Sequence, residues 1–231
     1  MRRLITDADA QLTSEGRFET RATVTHRGSA CAAQASGSLR SNAVCRILGT
    51  KTDRRTREAA SVGDYTIGLA TRDELSAVAT VEVAAARSVP REDIALEVAD
   101  QPMQRAELEQ ACRQRRLWVA RVNGVVVGFV AGGLKDGLPY VCEIDVLPTH
   151  GRHGIGTALM RVAIQWARGK RASHLTLTTF RHLPYNAPFY AKLGFEEIPV
   201  DDLGPEIRAQ LKKEARMGLD SSRRVAMRCK L

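Results

Sequence analysis

Hydrophobic and polar residues repeat with two different periods along the chain after residue 64. Apolar residues that alternate with polar ones predict strands, whereas apolar residues spaced three and four apart predict helices. Asn123-Gly124 between two apolar runs is typical of a tight hairpin, and Thr71 followed by Glu74 has the pattern of a helix-starting capping box. The predicted strands are 65–69, 117–122, 125–132, 140–147, 175–180, 195–200 and 224–228. The predicted helices are 71–87, 103–115, 155–169, a short one ending at 194, and 204–218.

The first 62 residues lack this patterning. They are rich in Ala, Ser, Thr, Arg and Gly, and Phe18 is their only aromatic residue. Such a segment buries too little apolar surface to offset the entropy that is lost when a chain becomes ordered. We therefore predict a low-complexity, disordered extension over 1–62 and one mixed α/β domain over 63–231.

Composition and charge exclude few function classes. Hydrophobic residues make up 44% of the chain and charged residues 26%, as in globular proteins. No apolar run approaches the ~18 residues of a membrane-spanning helix. The net charge is +9, but the excess is spread over the two ends of the chain and forms no dense basic stripe. We therefore expect neither a membrane nor a nucleic acid as partner.

The five cysteines are odd in number, widely scattered and without a C-x-x-C pair. This pattern argues against a disulfide framework and against a cysteine zinc site. His150 and His153 are three residues apart, but no cysteine or carboxylate follows them at ligand spacing. We expect free thiols, a cytoplasmic location and no metal.

A loop with two glycines separates a predicted strand from the helix that begins near residue 155. A helix start exposes unpaired backbone N–H groups and the positive end of the helix dipole. Gly154 and Gly156 allow an anion to approach that backbone closely, and Arg152 and His153 add positive charge. The segment therefore predicts a phosphate or pyrophosphate site.

Two common phosphate-binding signatures do not fit this loop. No Gly-Lys-Ser or Gly-Lys-Thr follows, so the P-loop pattern fails, and Leu159 stands at the third glycine position of the dinucleotide pattern. Alone, the loop could also be a helix entered through a glycine turn.

A second segment, 186–195, narrows the class of ligand. Read with the segment around the glycine loop, it gives a pattern carried by Leu147, Pro148, Gly154, Ile155, Gly156, Tyr190, Leu193, Gly194 and Phe195. This pattern resembles the GNAT family of N-acetyltransferases, in the acyl-CoA N-acyltransferase superfamily. The resemblance extends over residues 64–231 and implies a mostly antiparallel central sheet flanked by helices, with acetyl-coenzyme A as co-substrate.

The resemblance also implies roles for individual residues. The preceding strand is expected to hold the pantetheine arm and polarise the acetyl carbonyl through the backbone of Ile144 and Val146. Asn186 is expected to contact the cofactor, and Tyr190 to protonate the departing thiolate. The residues expected at the pyrophosphate are Arg152, His153, Gly154, Ile155, Gly156 and Thr157.

The chain departs from the family pattern at one position of the loop. Gly151 stands where the family usually has Gln or Arg. We expect Arg152 or His153 to supply the missing positive charge.

The reaction also needs a base, because an amine with a pKa of about 10 is mostly protonated at neutral pH. Glu143 is the candidate and Asp145 the reserve, acting directly or through water. On a regular strand these two residues and Val141 share one face. Glu143 could equally be a solvated or paired strand carboxylate.

The function that the sequence predicts is acetyl transfer from acetyl-CoA to a primary amine by direct attack within a ternary complex. The acceptor, a small molecule or a peptide, stays open. The alternative is a catalytically silent acyl-CoA sensor or interaction module with a basic tail. An exposed last strand would allow a homodimer.

Overall fold

The structure, a computed structural model, describes residues 65–231. The extension predicted over 1–62 lies outside the described residues, as do Cys31 and Cys45. The remaining three cysteines, Cys112, Cys142 and Cys229, are free thiols, as expected. In the described range, no helix has both the length and the apolar character needed to cross a membrane.

Seven strands and six helices form the described part of the chain. The strands are β1 Tyr65–Leu69, β2 Leu117–Val122, β3 Val125–Lys135, β4 Leu138–Val146, β5 His174–Phe180, β6 Phe195–Glu197 and β7 Arg224–Lys230. The helices are α1 Leu75–Ala86, α2 Leu96–Ala99, α3 Arg105–Arg113, α4 Ile155–Gly169, α5 Ala187–Ala191 and α6 Pro205–Arg216. The capping box predicted at Thr71 and Glu74 is present. Helix α2 was not predicted.

The strands form a single sheet in the order β1-β2-β3-β4-β5-β7-β6. Every neighbouring pair is antiparallel except β4 and β5, which run parallel. This arrangement confirms the predicted mixed α/β fold with a mostly antiparallel sheet. The prediction of an exposed last strand is wrong, because β6 pairs with β7 on the side away from β5. The sheet edges are β1 and β6, so β7 offers no free edge to a second copy.

The two faces of the sheet are covered by different helices. Helix α4 covers one face because its apolar residues recur three and four apart and form one stripe. On the opposite face, α1 and α3 pack over β2 and β3, and α6 packs over Tyr140 and Ala226 through Ile207. The buried residues of α4 are Ile155, Leu159, Met160, Ala163 and Ala167.

Strand β4 contains a bulge that changes which residues share a face. Ala131 of β3 pairs with Glu143, and the next residue, Gly132, pairs with Val141. Cys142 is therefore the extra residue, and an extra residue reverses the in-and-out alternation of a strand.

The bulge corrects the predicted grouping of β4 side chains. Val141 packs in the α4-side core together with Ile144 and Val146, so it lies on their face and not with Glu143. Glu143 and Asp145 point to the α1 side, because their cross-strand partners belong to the α1-side core. The bulge thus leaves the two carboxylates on the face opposite α4.

Candidate functional site

The parallel strands β4 and β5 separate toward their carboxyl ends. Tyr140 and Thr176 are the one pair in register between these strands in the described chain. Past that pair β4 continues to Val146 and β5 to Phe180 without pairing with each other. The sheet therefore has a gap in its middle, and the functional residues predicted from the sequence lie around it.

The start of α4 lies at the end of β4 and presents unpaired backbone donors. The first α-helical bond is donated by Ala158 N–H to Gly154 O at 3.0 Å, so the N–H groups of Ile155, Gly156 and Thr157 have no acceptor within the helix. No side chain of the described residues caps this start, and no acidic residue lies in its first turn. An uncapped helix start without acidic neighbours suits a phosphate group.

Two residues of the loop have a left-handed backbone conformation. Gly154 has φ of 82°, a left-handed conformation that glycine adopts at little cost. Arg152 has φ of 65°, which costs a residue with a side chain about 1 kcal/mol. Arg152 and His153 are both exposed, so their side chains are free to meet an anion at the surface of the loop.

The end of β4 supplies a further donor inside the gap. Leu147 N–H donates to Val127 O of β3 at 2.8 Å. Because hydrogen-bonding residues alternate along an antiparallel pair, the N–H of Val146 faces away from β3, toward β5. The N–H of Ile144 faces the same way and reaches Oε1 of Glu143 at 3.4 Å. Val146 is therefore the freer of the two predicted backbone donors.

Helix α5 closes the other side of the gap. A Cβ atom at Gly156 would lie 3.7 Å from Cζ of Phe189 and 4.0 Å from Cγ2 of Val146, so α5, β4 and the start of α4 converge there. Tyr190 is buried, and its ring packs at 5.2 Å from that of Phe189. Asn186 begins α5 and its Nδ2 donates to Oγ1 of Thr179 at 2.8 Å. The side-chain N–H of Asn186 thus holds α5 against β5, which leaves its Oδ1 for a ligand.

Burial raises the pKa of Tyr190 above its ordinary value, and the charges of Glu143 and Asp145 raise it further. The phenol is therefore protonated at neutral pH. The structure brings the predicted acid and the predicted base close enough for their charges to interact.

The two β4 carboxyl groups lie in a setting that favours their protonated forms. Burial raises the pKa of Glu143 to about 7, while Arg224 and the Ile144 N–H act in the opposite direction. Burial also raises the pKa of Asp145, as do the neighbouring charges of Glu143 and Glu82. A carboxyl group with a pKa near 7 exchanges protons readily at neutral pH and can act as a general base.

Sequence reasoning missed a third carboxyl group at this site, Glu82 of α1. Burial raises its pKa to about 8, and Glu143 adds to the effect. A signal was present, because Leu75, Val78 and Glu82 follow helical spacing and place the glutamate on the buried stripe of α1. Glu82, Glu143 and Asp145 are called the carboxyl cluster below.

A buried polar network lies beside the cluster and was also missed. Thr178 Oγ1 donates to Oε1 of Glu214 at 2.6 Å and lies 2.8 Å from the hydroxyl of Tyr140. Arg224 Nε donates to Oε2 of Glu214 at 3.0 Å. The network joins β4, β5, β7 and α6, so it fixes the strands on both sides of the gap. Arg224 is also the cation that acts on Glu143 and Tyr190.

Comparison with known proteins agrees with this geometry. Residues 85–195 match the model of the acetyltransferase (GNAT) family. The matched range contains β4, the glycine loop, the start of α4 and Tyr190.

Several solved structures share the fold at low sequence identity. One is N-acetylglutamate synthase of Neisseria gonorrhoeae, complexed with coenzyme A and N-acetyl-glutamate, at 20% identity and a TM-score of 0.55. The similarity covers 73% of this chain and 35% of the synthase, so the chain spans about a third of that protein. A GCN5-related N-acetyltransferase of Rhodopseudomonas palustris has 18% identity and a TM-score of 0.53, with 76% of this chain and 100% of that one covered. Ard1 of Thermoplasma volcanium has 18% identity and a TM-score of 0.51, with 72% and 97% covered.

Proposed function

Because this chain belongs to the acetyltransferase (GNAT) family, we propose that it transfers the acetyl group of acetyl-CoA to a primary amine by direct attack within a ternary complex. The observation that carries this proposal is the convergence of an uncapped helix start, Val146 of β4 and Phe189 of α5, the residue before Tyr190, at one gap in the sheet. Coenzyme A binding by the structurally similar synthase from Neisseria gonorrhoeae supports it. We propose 63–231 as the catalytic domain.

The residues around the gap would hold the two ends of acetyl-CoA separately. The N–H groups of Ile155, Gly156 and Thr157, with Arg152 and His153, would bind the pyrophosphate. Ile144 would contact the pantetheine arm, and Asn186 would add a contact from α5. The N–H groups of Ile155, Gly156 and Thr157 are fixed by the backbone, so they need little reorganisation when the ligand binds.

The transfer then needs one proton removed and one supplied. Glu143 would take a proton from the acceptor amine, directly or through water, and Asp145 is the reserve for this role. The amine nitrogen forms a bond to the acetyl carbon, and the Val146 N–H stabilises the charge that develops on the carbonyl oxygen. As the carbon–sulfur bond breaks, Tyr190 would donate its proton to the sulfur.

The electrostatics of the site would couple these two proton movements. The negative charges of Glu143 and Asp145 raise the pKa of Tyr190 and so hold its proton. When Glu143 accepts the amine proton, its charge disappears and the pKa of Tyr190 falls. The acid would therefore be strengthened at the point in the reaction where the sulfur requires a proton.

Isothermal titration of the full chain with acetyl-CoA tests the proposal. We expect saturable binding, and we expect Gly156→Glu to weaken it by at least about 100-fold, or about 2.7 kcal/mol. The added carboxylate would crowd Phe189 and Val146 and repel a phosphate at the helix start. Gly169→Glu is the matched control, because it lies at the far end of the same helix with open space around its Cβ position.

Two outcomes would count against the proposal. If the folded wild-type protein binds no acetyl-CoA, the enzyme role gives way to an interaction module. If it binds acetyl-CoA but releases no thiol with any amine offered, the catalytically silent sensor is the better description.

A further inference from the structure

The connection between α1 and α3, residues 87–104, reaches from one side of the gap in the sheet to the other, and we call it the strap. Helix α1, from which it leaves, packs against β3 and β4, and α3, to which it returns, packs against β2 and β3. Between the two helices, Oδ1 of Asp93 accepts a hydrogen bond from Nη1 of Arg223 at 2.8 Å, and its Oδ2 lies 3.2 Å from Nε2 of His182. His182 follows the end of β5 by two residues, and Arg223 immediately precedes β7. The strap therefore crosses the gap at Asp93 and returns.

The attachment of the strap on the far side depends on Asp93. Within the strap, which the structure describes completely, the buried residues are Asp93 and Ala99. The side chain of Asp93 is 1% exposed, because it lies beneath its two partners, which are 42% and 40% exposed. A carboxylate is buried at little cost only when it is paired. The two bonds of Asp93 are thus the polar contacts that hold the strap to the β5–β7 side.

The partners of Asp93 lead by direct contacts to the polar network beside the carboxyl cluster. The ring of His182 packs edge-on against that of Phe180 at 6.1 Å. The guanidinium group of Arg224 lies over the same Phe180 ring at 4.5 Å, and Arg223 is its neighbour in the chain. Asp93 is therefore anchored to a fixed part of the site and not to a free surface loop.

The strap lies on the face of the sheet where the amine has to arrive in the proposed reaction. Glu143, the proposed base, points to the α1 side. The strap leaves from and returns to helices on that side, and Met103 near its end donates its N–H to Oε1 of Glu82 at 2.9 Å. An amine that approaches Glu143 from this face therefore passes beside the strap.

We propose that Asp93 is a positioning residue for acetyl transfer, because it fastens the strap across the gap as a fixed wall beside the path of the acceptor to Glu143. This inference rests on the proposed function. Asp93 itself would touch neither acetyl-CoA nor the amine. A wall that is already fixed loses little conformational entropy when the acceptor binds, whereas a loose strap has to be ordered at that moment. The affinity for the acceptor should therefore depend on Asp93, and the affinity for acetyl-CoA should not.

Hydrogen exchange of the full chain tests the fastening. Arg223→Gln removes one partner of Asp93 and leaves the sequence of the strap unchanged. We expect the hydrogen-bonded amides of the strap to exchange at least about tenfold faster in this variant, because a buried carboxylate that has lost its arginine is driven toward water. Arg228→Gln is the matched control, since it breaks an ion pair of β7 with Glu196 of β6 and touches no strap residue. Its strap should exchange at the wild-type rate.

Steady-state thiol release with butylamine as the acceptor tests the consequence for the reaction. Asp93→Asn keeps the shape of the side chain and removes its charge, so its two hydrogen bonds are weakened. We expect KM for butylamine to rise at least about fivefold, while kcat and the affinity for acetyl-CoA each change by less than about twofold. Glu97→Gln removes a charge at an exposed position of the same strap and should leave all three quantities unchanged. Unfolding midpoints check that both variants retain the fold.

The outcomes separate this inference from the proposed function. Unchanged exchange of the strap in Arg223→Gln would overturn the fastening, and an unchanged KM for butylamine in Asp93→Asn would overturn the positioning role. An equal loss of affinity for acetyl-CoA would also overturn that role, because Asp93 would then act only on the stability of the fold. Failure of the wild-type protein to bind acetyl-CoA would instead overturn the proposed function, and the exchange rates would still show whether Asp93 fastens the strap.

Discussion

The gap between β4 and β5 has two sides with opposite electrostatic character. On one side, the start of α4 offers backbone N–H groups and Arg152, with no acidic residue in its first turn. On the other, the carboxyl cluster brings three acidic side chains together under partial or full burial. The first side is suited to an anion and the second to a cation. In the proposed reaction, this separation would draw the phosphorylated donor and the cationic amine to different sides of the gap.

The two sides also differ in how their charge can be controlled. The partial charge of a helix start is fixed by the backbone and does not titrate. The carboxyl cluster gains or loses protons near neutral pH, because burial raises the pKa of its members. We therefore expect pH to govern the acceptor side of the reaction and to affect the donor side much less.

Replacing the proposed base should have the largest effect on the rate and on its pH dependence. Glu143→Gln removes the group proposed to take the amine proton, so we expect kcat to fall about 100-fold. In the wild-type enzyme the rate should rise with pH through about 7, as Glu143 loses its proton and becomes competent as a base. The variant should lack that inflection. Rates of thiol release measured between pH 5.5 and 8.5 check both expectations.

Asp145→Asn is the companion variant for this experiment. If Glu143 is the base, Asp145→Asn keeps the inflection and changes its midpoint little, because burial is the main cause of the raised pKa of Glu143. If Asp145→Asn alone abolishes the inflection, the base is Asp145 and the assignment to Glu143 is wrong.

A smaller effect is expected on stability at the cluster. Glu82 has a pKa of about 8 in the folded protein against an ordinary value of 4.5. The unfolded chain therefore loses this proton first, and stability falls as pH rises between these two values. We expect the wild-type protein to lose about 2 kcal/mol more than Glu82→Gln between pH 5 and 8. Denaturant unfolding of both proteins at the two pH values measures the difference. If both proteins lose the same free energy of unfolding between pH 5 and 8, the charge of Glu82 does not destabilise the folded protein.

The same contrast explains which half of the site could be predicted from the sequence. The glycine loop is continuous in the chain, so helix physics and the family resemblance could assign its residues to an anion site. The carboxyl cluster is assembled from α1 and β4, which are about 60 residues apart in the sequence. Glu143 and Asp145 were identified on their strand, but Glu82 was missed because a single glutamate in a helix usually faces solvent.

Two features of the sheet could not be predicted from local sequence patterns, for a related reason. The bulge at Cys142 depends on how β4 pairs with β3, and nothing in the residues of β4 alone shows it. The burial of β7 depends on the three residues of β6 pairing across it from a distant part of the chain. Element type and order, in contrast, follow from short-range periodicity, and they were predicted correctly except for α2.

The smallest effect that we predict concerns Tyr190, the proposed proton donor to the sulfur. Tyr190→Phe keeps the ring that packs against Phe189 and Phe195 and removes only the hydroxyl group. We expect kcat to fall about tenfold, because water in the gap can still protonate the sulfur less efficiently. Affinity for acetyl-CoA should change little. Tyr185→Phe is the control, since that ring is 51% exposed and the same atom is removed. If both variants retain the wild-type kcat, Tyr190 is a packing residue and the proton must reach the sulfur from solvent or from another group.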